Sequence, residues 1–192
     1  MTVYVTRFGR LTRDEYDRLI SEGAFHPAER IELLDGQLLV REPQGSRHAV
    51  AIELALGCLQ RAFGPSWRVR VQLPIALDAD SEPEPDLSVV PGDPRVSASA
   101  HPADPVLIVE VSDTSLAFDR DHKTGLYARA RVPDFWIVNL VDRQVEVRRA
   151  PITASGAVFG WRYDQLQTFG PEAFVSPLAA PTSAIAVADL LP

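Results

Sequence analysis

The chain has 192 residues, 46 % hydrophobic and 23 % charged, a composition that fits one compact domain spanning residues 1–192 and excludes general disorder. The net charge of -7 excludes an open, strongly basic nucleic-acid surface, but not a small basic cleft or an acidic one that turns positive on taking a metal ion. One cysteine, Cys58, leaves no internal disulfide, and neither an apolar leader nor a run of membrane-spanning length is present; the expectation is a soluble, cytoplasmic protein with no membrane partner.

In chain order, the first predicted element is a short helix. LTRDEYDRLI opens with Thr12, and Glu15 three residues on completes a capping box. RIELLDGQLLVRE holds two apolar runs around Asp35-Gly36, a strong hairpin signal. SRHAVAIELALGCLQRAF repeats apolar residues at helical spacing, which predicts a long helix with a broad buried face and Cys58 in its core stripe. WRVRVQLPIAL alternates as a strand with Arg68 and Arg70 on one face. DLSVV and VLIVEVS are short β-branched runs suited to central strands covered on both sides. Residues 91–105 read as a surface loop. DRDHKTGLYARAR reads as a helix weakened by Gly125. FWIVNL and QVEVRRA read as strands around a turn at Asp142-Arg143, followed by a strand-like piece at Trp161–Phe169 and a terminal IAVADLLP. Trp67, Trp136 and Trp161 are expected in the core. The sum is α+β or α/β, with a mixed sheet between helices.

Three acids sit where an acid is costly: Glu32 within IELL, Asp86 where the linker-like SEPEP meets the apolar LSVV, and Glu110 within VLIVEVS. An ionised carboxylate in such a run must be paired, bind a metal or shift its pKa. Two readings stand for Glu32, since alternation turns it either to solvent or inward. Asp86 is either a linker charge or a site acid. Glu110 shares a face with Ile108, opposite Val109 and Val111, which leaves little room for a solvated reading. If the strands of Asp86 and Glu110 are neighbours, about 4.8 Å apart, their carboxylates repel unless a cation lies between them. A hard divalent ion such as Mg²⁺ takes one or two carboxylates plus waters. Four scattered histidines and one cysteine show no zinc-ligand spacing.

Asp119, Lys123 and Tyr127 fall at i, i+4 and i+8, one helix face. They read as a surface ion pair beside a core tyrosine, or as a face returning over the acid pair. In the second case Lys123 orients or deprotonates a metal-bound water or stabilises charge on a phosphate. His48 is either a phosphate contact or partner near Glu32, or a half-exposed helix residue. Arg68 with Arg70, and Arg148 with Arg149, either meet a phosphate backbone or lie on solvated strand faces.

The ordered set IELLDGQL, a helix with His48, Pro85-Asp86, VEVS followed by D-x-x-x-K-x-x-x-Y, and VPDFWIVNL resembles the Uma-two-type restriction endonucleases, a large bacterial family within the PD-(D/E)XK nuclease superfamily, from about residue 11 to about residue 190. The resemblance implies an α+β, restriction-endonuclease-like fold with a mixed central sheet, and Mg²⁺-dependent hydrolysis of DNA phosphodiester bonds, with Mn²⁺ as the alternative ion. It makes Asp86, Glu110 and Glu32 the metal-holding acids and Lys123 the catalytic lysine. The superfamily's usual lysine position, two residues past the second acid, is Ser112 here. A homodimer would suit an activity that cuts both strands. Two other functions stay open: a catalytically silent module binding nucleic acid or protein, and a metal-dependent hydrolase of a small phosphorylated molecule.

Overall fold

Thr12 caps helix α1 (Arg13–Ser21) as the sequence predicts: its hydroxyl accepts from the Glu15 N–H, and the Glu15 carboxylate accepts from the Thr12 N–H at 2.8 Å. The computed structural model describes residues 3–5, 9–26, 29–41 and 43–192. Strands β1 (Val3–Val5), β2 (Ile31–Leu34) and β3 (Gln37–Val40) form a small antiparallel sheet in the order β1-β3-β2. The turn between β2 and β3 is Asp35-Gly36, with φ of 49° and 74°. Two successive left-handed residues match the twist of the flanking strands, which is why Asp-Gly marks a hairpin. Both faces of this sheet are covered. Ile31, Leu33 and Leu38 pack on Tyr16 of α1, and Leu34 and Leu39 pack on Leu126 further along the chain.

Helix α2 (Ser46–Phe63) coincides with its predicted span. Six strands form the main sheet in sequence order: β4 (Trp67–Val71), β5 (Leu87–Pro91), β6 (Leu107–Ser112), β7 (Asp134–Asn139), β8 (Gln144–Thr153) and β9 (Trp161–Phe169). Only β6 and β7 run parallel. A parallel pair needs a crossover. Here the crossover carries α3 (Leu116–Phe118), a π-helical turn (Asp119–Lys123) and α4 (Thr124–Arg129). One face of the sheet packs its valines and Trp136 on Ala51, Ile52, Ala55 and Leu59 of α2, and on the C-terminal segment with β10 (Phe174–Val175) and β11 (Ile185–Ala186). The other face sets Ile108, Phe135 and Ile137 against Tyr127, Ala128 and Tyr163. The long apolar run of β6 is thus buried on both sides, as its composition predicts.

The predicted strand over residues 67–77 stops at Val71. Gln72 turns into the left-handed region at φ 49°, and Pro74 has no N–H to continue a ladder. The chain beyond it pairs locally, Ile75 N–H to Pro83 O and Leu77 N–H to Ser81 O. The loop at 91–105 is largely exposed and holds one short 3₁₀ turn, Pro94–Ser97, capped by Asp93. No helix among the described residues is long and apolar enough to cross a membrane.

Two outcomes follow from this packing. A Cβ on Gly125 would stand 2.6 Å from the Val158 carbonyl oxygen. Gly125→Ala should therefore destabilise the protein by about 1–3 kcal/mol in urea unfolding, although alanine is the better helix former. Glu82 hydrogen-bonds through its backbone to Leu33 and is buried; burial, with Asp17 nearby, pushes its carboxyl up to about 7 against the pull of Arg13. The folded chain then keeps a proton that the unfolded chain has lost above its ordinary value. Stability should fall as pH rises through that window to about 7, and Glu82→Gln should flatten that part of the profile.

Candidate active site

Strand alternation and sheet register bring the predicted acids together. Leu87 pairs with Val109 and Ser88 with Ile108, so Asp86, one residue earlier, lies across from Glu110 on the same face. The Asp86 N–H donates to Glu110 Oε2 at 3.2 Å, and Asp86 Oδ2 accepts from the Val111 N–H at 2.9 Å. Asp86 is therefore built into the β5–β6 pairing and is no linker charge. Glu32 turns inward. Both faces of the small sheet are buried, and the face that Glu32 shares with Leu34 looks toward the crossover helix. Its two oxygens take Arg41 Nε at 3.0 Å and Lys123 Nζ at 2.6 Å.

Lys123 and Tyr127 both reach Glu110. Nζ stands 3.4 Å from Oε1, and the Tyr127 hydroxyl donates to the same oxygen. Of the two readings of D-x-x-x-K-x-x-x-Y, the structure has the one in which the helix face returns over the acids. The third member, Asp119, is buried as well but pairs with hydroxyls, Ser112 Oγ at 2.7 Å and Ser115 Oγ at 2.6 Å. Lys123 pairs with the other acids, and the π turn between the two residues closes Thr124 N–H onto Asp119 O. Single π turns of this kind recur at functional sites.

Arg41 is the residue that sequence reasoning missed. It follows β3 directly and joins the two sheets, with Nε on Glu32, Nη2 on Asp86 Oδ1 at 2.8 Å and Nη1 on the Glu84 carbonyl at 2.6 Å. Gln72, also unforeseen, donates to Asp86 Oδ1 at 3.2 Å from its kink after β4. A cation at the end of an apolar strand, QLLVR, was the one local signal for Arg41. His48 lies at Asp86, not Glu32, with Nε2 3.3 Å from Oδ2, and its side chain is largely covered. Arg148 and Arg149 fit neither reading given above: they are held by the buried acids Glu146, at 2.7 Å, and Asp134, at 2.8 Å.

The electrostatics follow from this wiring. Burial alone would raise Asp86, but the His48 ring, the Arg41 guanidinium and the Val111 N–H outweigh it and hold the carboxyl well below the usual range. Burial pushes Glu110 up to about 7; Lys123 opposes the rise and the Asp86 charge adds to it. Burial would strip the proton from Lys123, yet Glu110 and Glu32 raise it above the ordinary lysine value and keep it an ammonium. Burial likewise raises Asp119. Three carboxylates, Glu32, Asp86 and Glu110, are thus served by two cations, with Asp119 adding a fourth acid to the same wall. They line a cleft of about 460 Å³ whose mouth includes Gly45 and His48 at the start of α2 and the 113–118 segment.

The donor set fits a hard divalent cation, since carboxylate oxygens in excess of their cations draw positive charge into the cleft. No three His, Cys, Asp or Glu groups among the described residues are already arranged around one metal position. Arg41 and Lys123 hold oxygens that an ion would share or take over. Magnesium commonly makes do with one or two carboxylates and completes its shell with water or phosphate oxygens.

The chain matches the Uma2 family, described as "Putative restriction endonuclease", over residues 13–188. Its fold is similar to that of a crystal structure described as "a putative nuclease belonging to DUF820" from Anabaena variabilis ATCC 29413. The TM-score is 0.66 at 16 % identity, covering 94 % of this chain and 97 % of the other. No curated protein matches the chain. The expected α+β fold with a mixed central sheet is the fold observed.

Removing one partner from a buried ion pair strands the other charge. Arg41→Met should therefore cost about 3–5 kcal/mol of stability, read as a lowered unfolding midpoint. Arg41→Lys should recover part of it, because an ammonium keeps the charge without the two-sided reach.

Proposed function

The chain belongs to the Uma2 family of restriction-endonuclease-like proteins, and from that membership we propose that it is a nuclease that hydrolyses phosphodiester bonds of DNA with a divalent metal ion, Mg²⁺ or Mn²⁺. The observation that carries the proposal is the buried pair Asp86–Glu110, facing a cleft on adjacent strands with Lys123 beside it. Asp86 and Glu110 would hold the ion. Glu32 is an upstream acid whose oxygens now secure Arg41 and Lys123, and it joins the metal shell only if one of those cations yields. The ion, when bound, supplies Lewis acidity toward the phosphate and a lowered pKa for bound water.

The protein's own groups do the positioning. Lys123, kept an ammonium by Glu110 and Glu32, donates hydrogen bonds to the attacking water or to a phosphate oxygen, and its charge offsets the negative charge that grows there. This favours the orienting role of Lys123 over the deprotonating one. Arg41 fixes Asp86 and faces the same cleft, so it is a second cation for the phosphate. Tyr127 holds Glu110 Oε1 from the core side and limits its rotation. Asp119, anchored by Ser112 and Ser115, fixes the strand-to-helix junction from which Lys123 is presented. The position two residues past Glu110 is thereby occupied by a hydroxyl that supports Asp119, while the ammonium arrives from the π turn.

One observation favours the silent-module reading: each site carboxylate already bears a protein cation or several hydrogen bonds. Plasmid nicking with titrated Mg²⁺ and Mn²⁺, paired with calorimetry of metal binding, separates the two. A nuclease should nick the plasmid only with metal. Asp86→Asn and Glu110→Gln should each lose metal binding and nicking together, and Lys123→Ala should keep metal binding while losing about 10²–10³-fold in rate. Metal binding without nicking on duplex, single-stranded or RNA substrates would leave the silent module standing.

A further inference from the structure

In this acidic chain most of the described arginines meet a carboxylate, among them Arg120, Arg41, Arg129 and Arg149. Arg68 and Arg70 meet none among the described residues. Arg68 Nη2 donates to the Ser97 hydroxyl at 3.0 Å, and Arg70 Nη1 donates to the Pro74 carbonyl at 2.8 Å. Asp93, whose charge is felt by Arg68, is itself taken by Arg95 at 2.8 Å. The Arg68 Nε is buried and has no hydrogen-bond partner. Burial, together with the Arg68 charge, makes Arg70 harder to keep protonated than a free arginine. Two like charges side by side, half-buried and with no carboxylate in direct contact, are an unfavourable arrangement that an anion relieves.

Their placement says which anion. Arg70 lies opposite Ser88 and Arg68 opposite Val90, while Ser88 lies opposite Ile108. Residues opposite one another share a face, so both arginines stand on the sheet face that bears Asp86 and Glu110. The next residue of the same alternation is Gln72, which hydrogen-bonds Asp86 and accepts from Arg30 Nη2 at 3.1 Å. At about 3.4 Å per residue, Arg70 and Arg68 lie roughly 7 and 14 Å up the strand from Gln72. Cationic groups thus continue from Arg41 at the acids, through Arg30, to Arg70 and Arg68. The two arginines also line a groove of about 770 Å³ that wraps the free edge of β4, to which Gln60 of α2, Val69 and Val71 contribute from the opposite face of the sheet.

We propose that Arg68 and Arg70 bind backbone phosphates of a nucleic-acid strand whose cleaved phosphate lies at Asp86, an assignment that rests on the nuclease reading. Phosphate contacts of this kind fix register without reading sequence, which suits a chain with no broad basic surface. The strand enters along β4 and reaches the acids past Gln72.

The test is fluorescence anisotropy of a labelled oligonucleotide, single-stranded and duplex, across a NaCl series in chelated buffer so that no cleavage occurs. Arg68→Gln with Arg70→Gln should weaken binding at low salt at least tenfold and lower the slope of log affinity against log salt by about 1.8 on the duplex and about 1.4 on the single strand, the values for two lost phosphate contacts. Arg68→Lys with Arg70→Lys should keep the wild-type slope, and matched thermal unfolding of both double variants checks that the fold is intact. Equal affinity and slope in the glutamine variant would overturn the assignment, as would wild-type protein that binds neither oligonucleotide. Asp86-dependent cleavage that ignores both arginines would sink the phosphate track and spare the nuclease. Arginine-dependent binding by a protein that never cleaves would do the reverse.

Discussion

The site depends on one constraint: carboxylates are buried in excess of the cations that neutralise them. Glu110 sits in a strand of the main sheet that is buried along its whole length, and Glu32 lies in a hairpin covered on both faces. Each ion withdrawn from water costs several kcal/mol unless partners replace its hydration. The partners form a closed circuit. Glu32 holds Arg41, Arg41 holds Asp86, the Asp86 N–H holds Glu110, Glu110 meets Lys123, and Lys123 returns to Glu32. The circuit passes through both sheets and the crossover helix. The relative position of these elements is therefore fixed electrostatically as well as by apolar packing.

The circuit also explains the irregular features near it. Gln72 leaves the β4 ladder in a left-handed conformation and places its side-chain amide on Asp86. The crossover helix widens into a π turn at Asp119–Lys123, the two residues that helical spacing alone would pair with each other. Asp119 goes to two serines and Lys123 to two glutamates. Gly125 lets the helix approach the Val158 carbonyl, where a side chain would clash.

The excess of acid has a chemical consequence. On the proposed reading, a cleft lined by Asp86, Glu110 and a held ammonium would take a divalent cation and then, through that cation and the arginines, a phosphate. The same site with its cations firmly seated is a stable ion-pair network with no vacancy for a metal. On the nuclease reading an incoming ion would share these oxygens with Arg41 and Lys123, and Glu110, whose carboxyl burial pushes up to about 7, would feel the new positive neighbour.

Much of this was legible in the chain because it rests on short-range physics. The Thr12–Glu15 box, the Asp35-Gly36 turn, the span of α2 and the enclosure of β6 all follow from capping geometry, twist and periodicity within a few residues. So does the marking of Glu32, Asp86 and Glu110, since a charge in an apolar run is conspicuous. The face shared by Lys123 and Tyr127 was readable from spacing. Only the tertiary structure decided what those residues touch. Arg41 and Gln72 come to Asp86 from 45 and 14 residues away, Glu32 turns inward because a helix covers its side of the hairpin, and Arg148 and Arg149 are consumed by acids that register places beside them. Strand pairing and the π turn fix these contacts. They depend on long-range packing and charge balance, which a local pattern of residues does not encode.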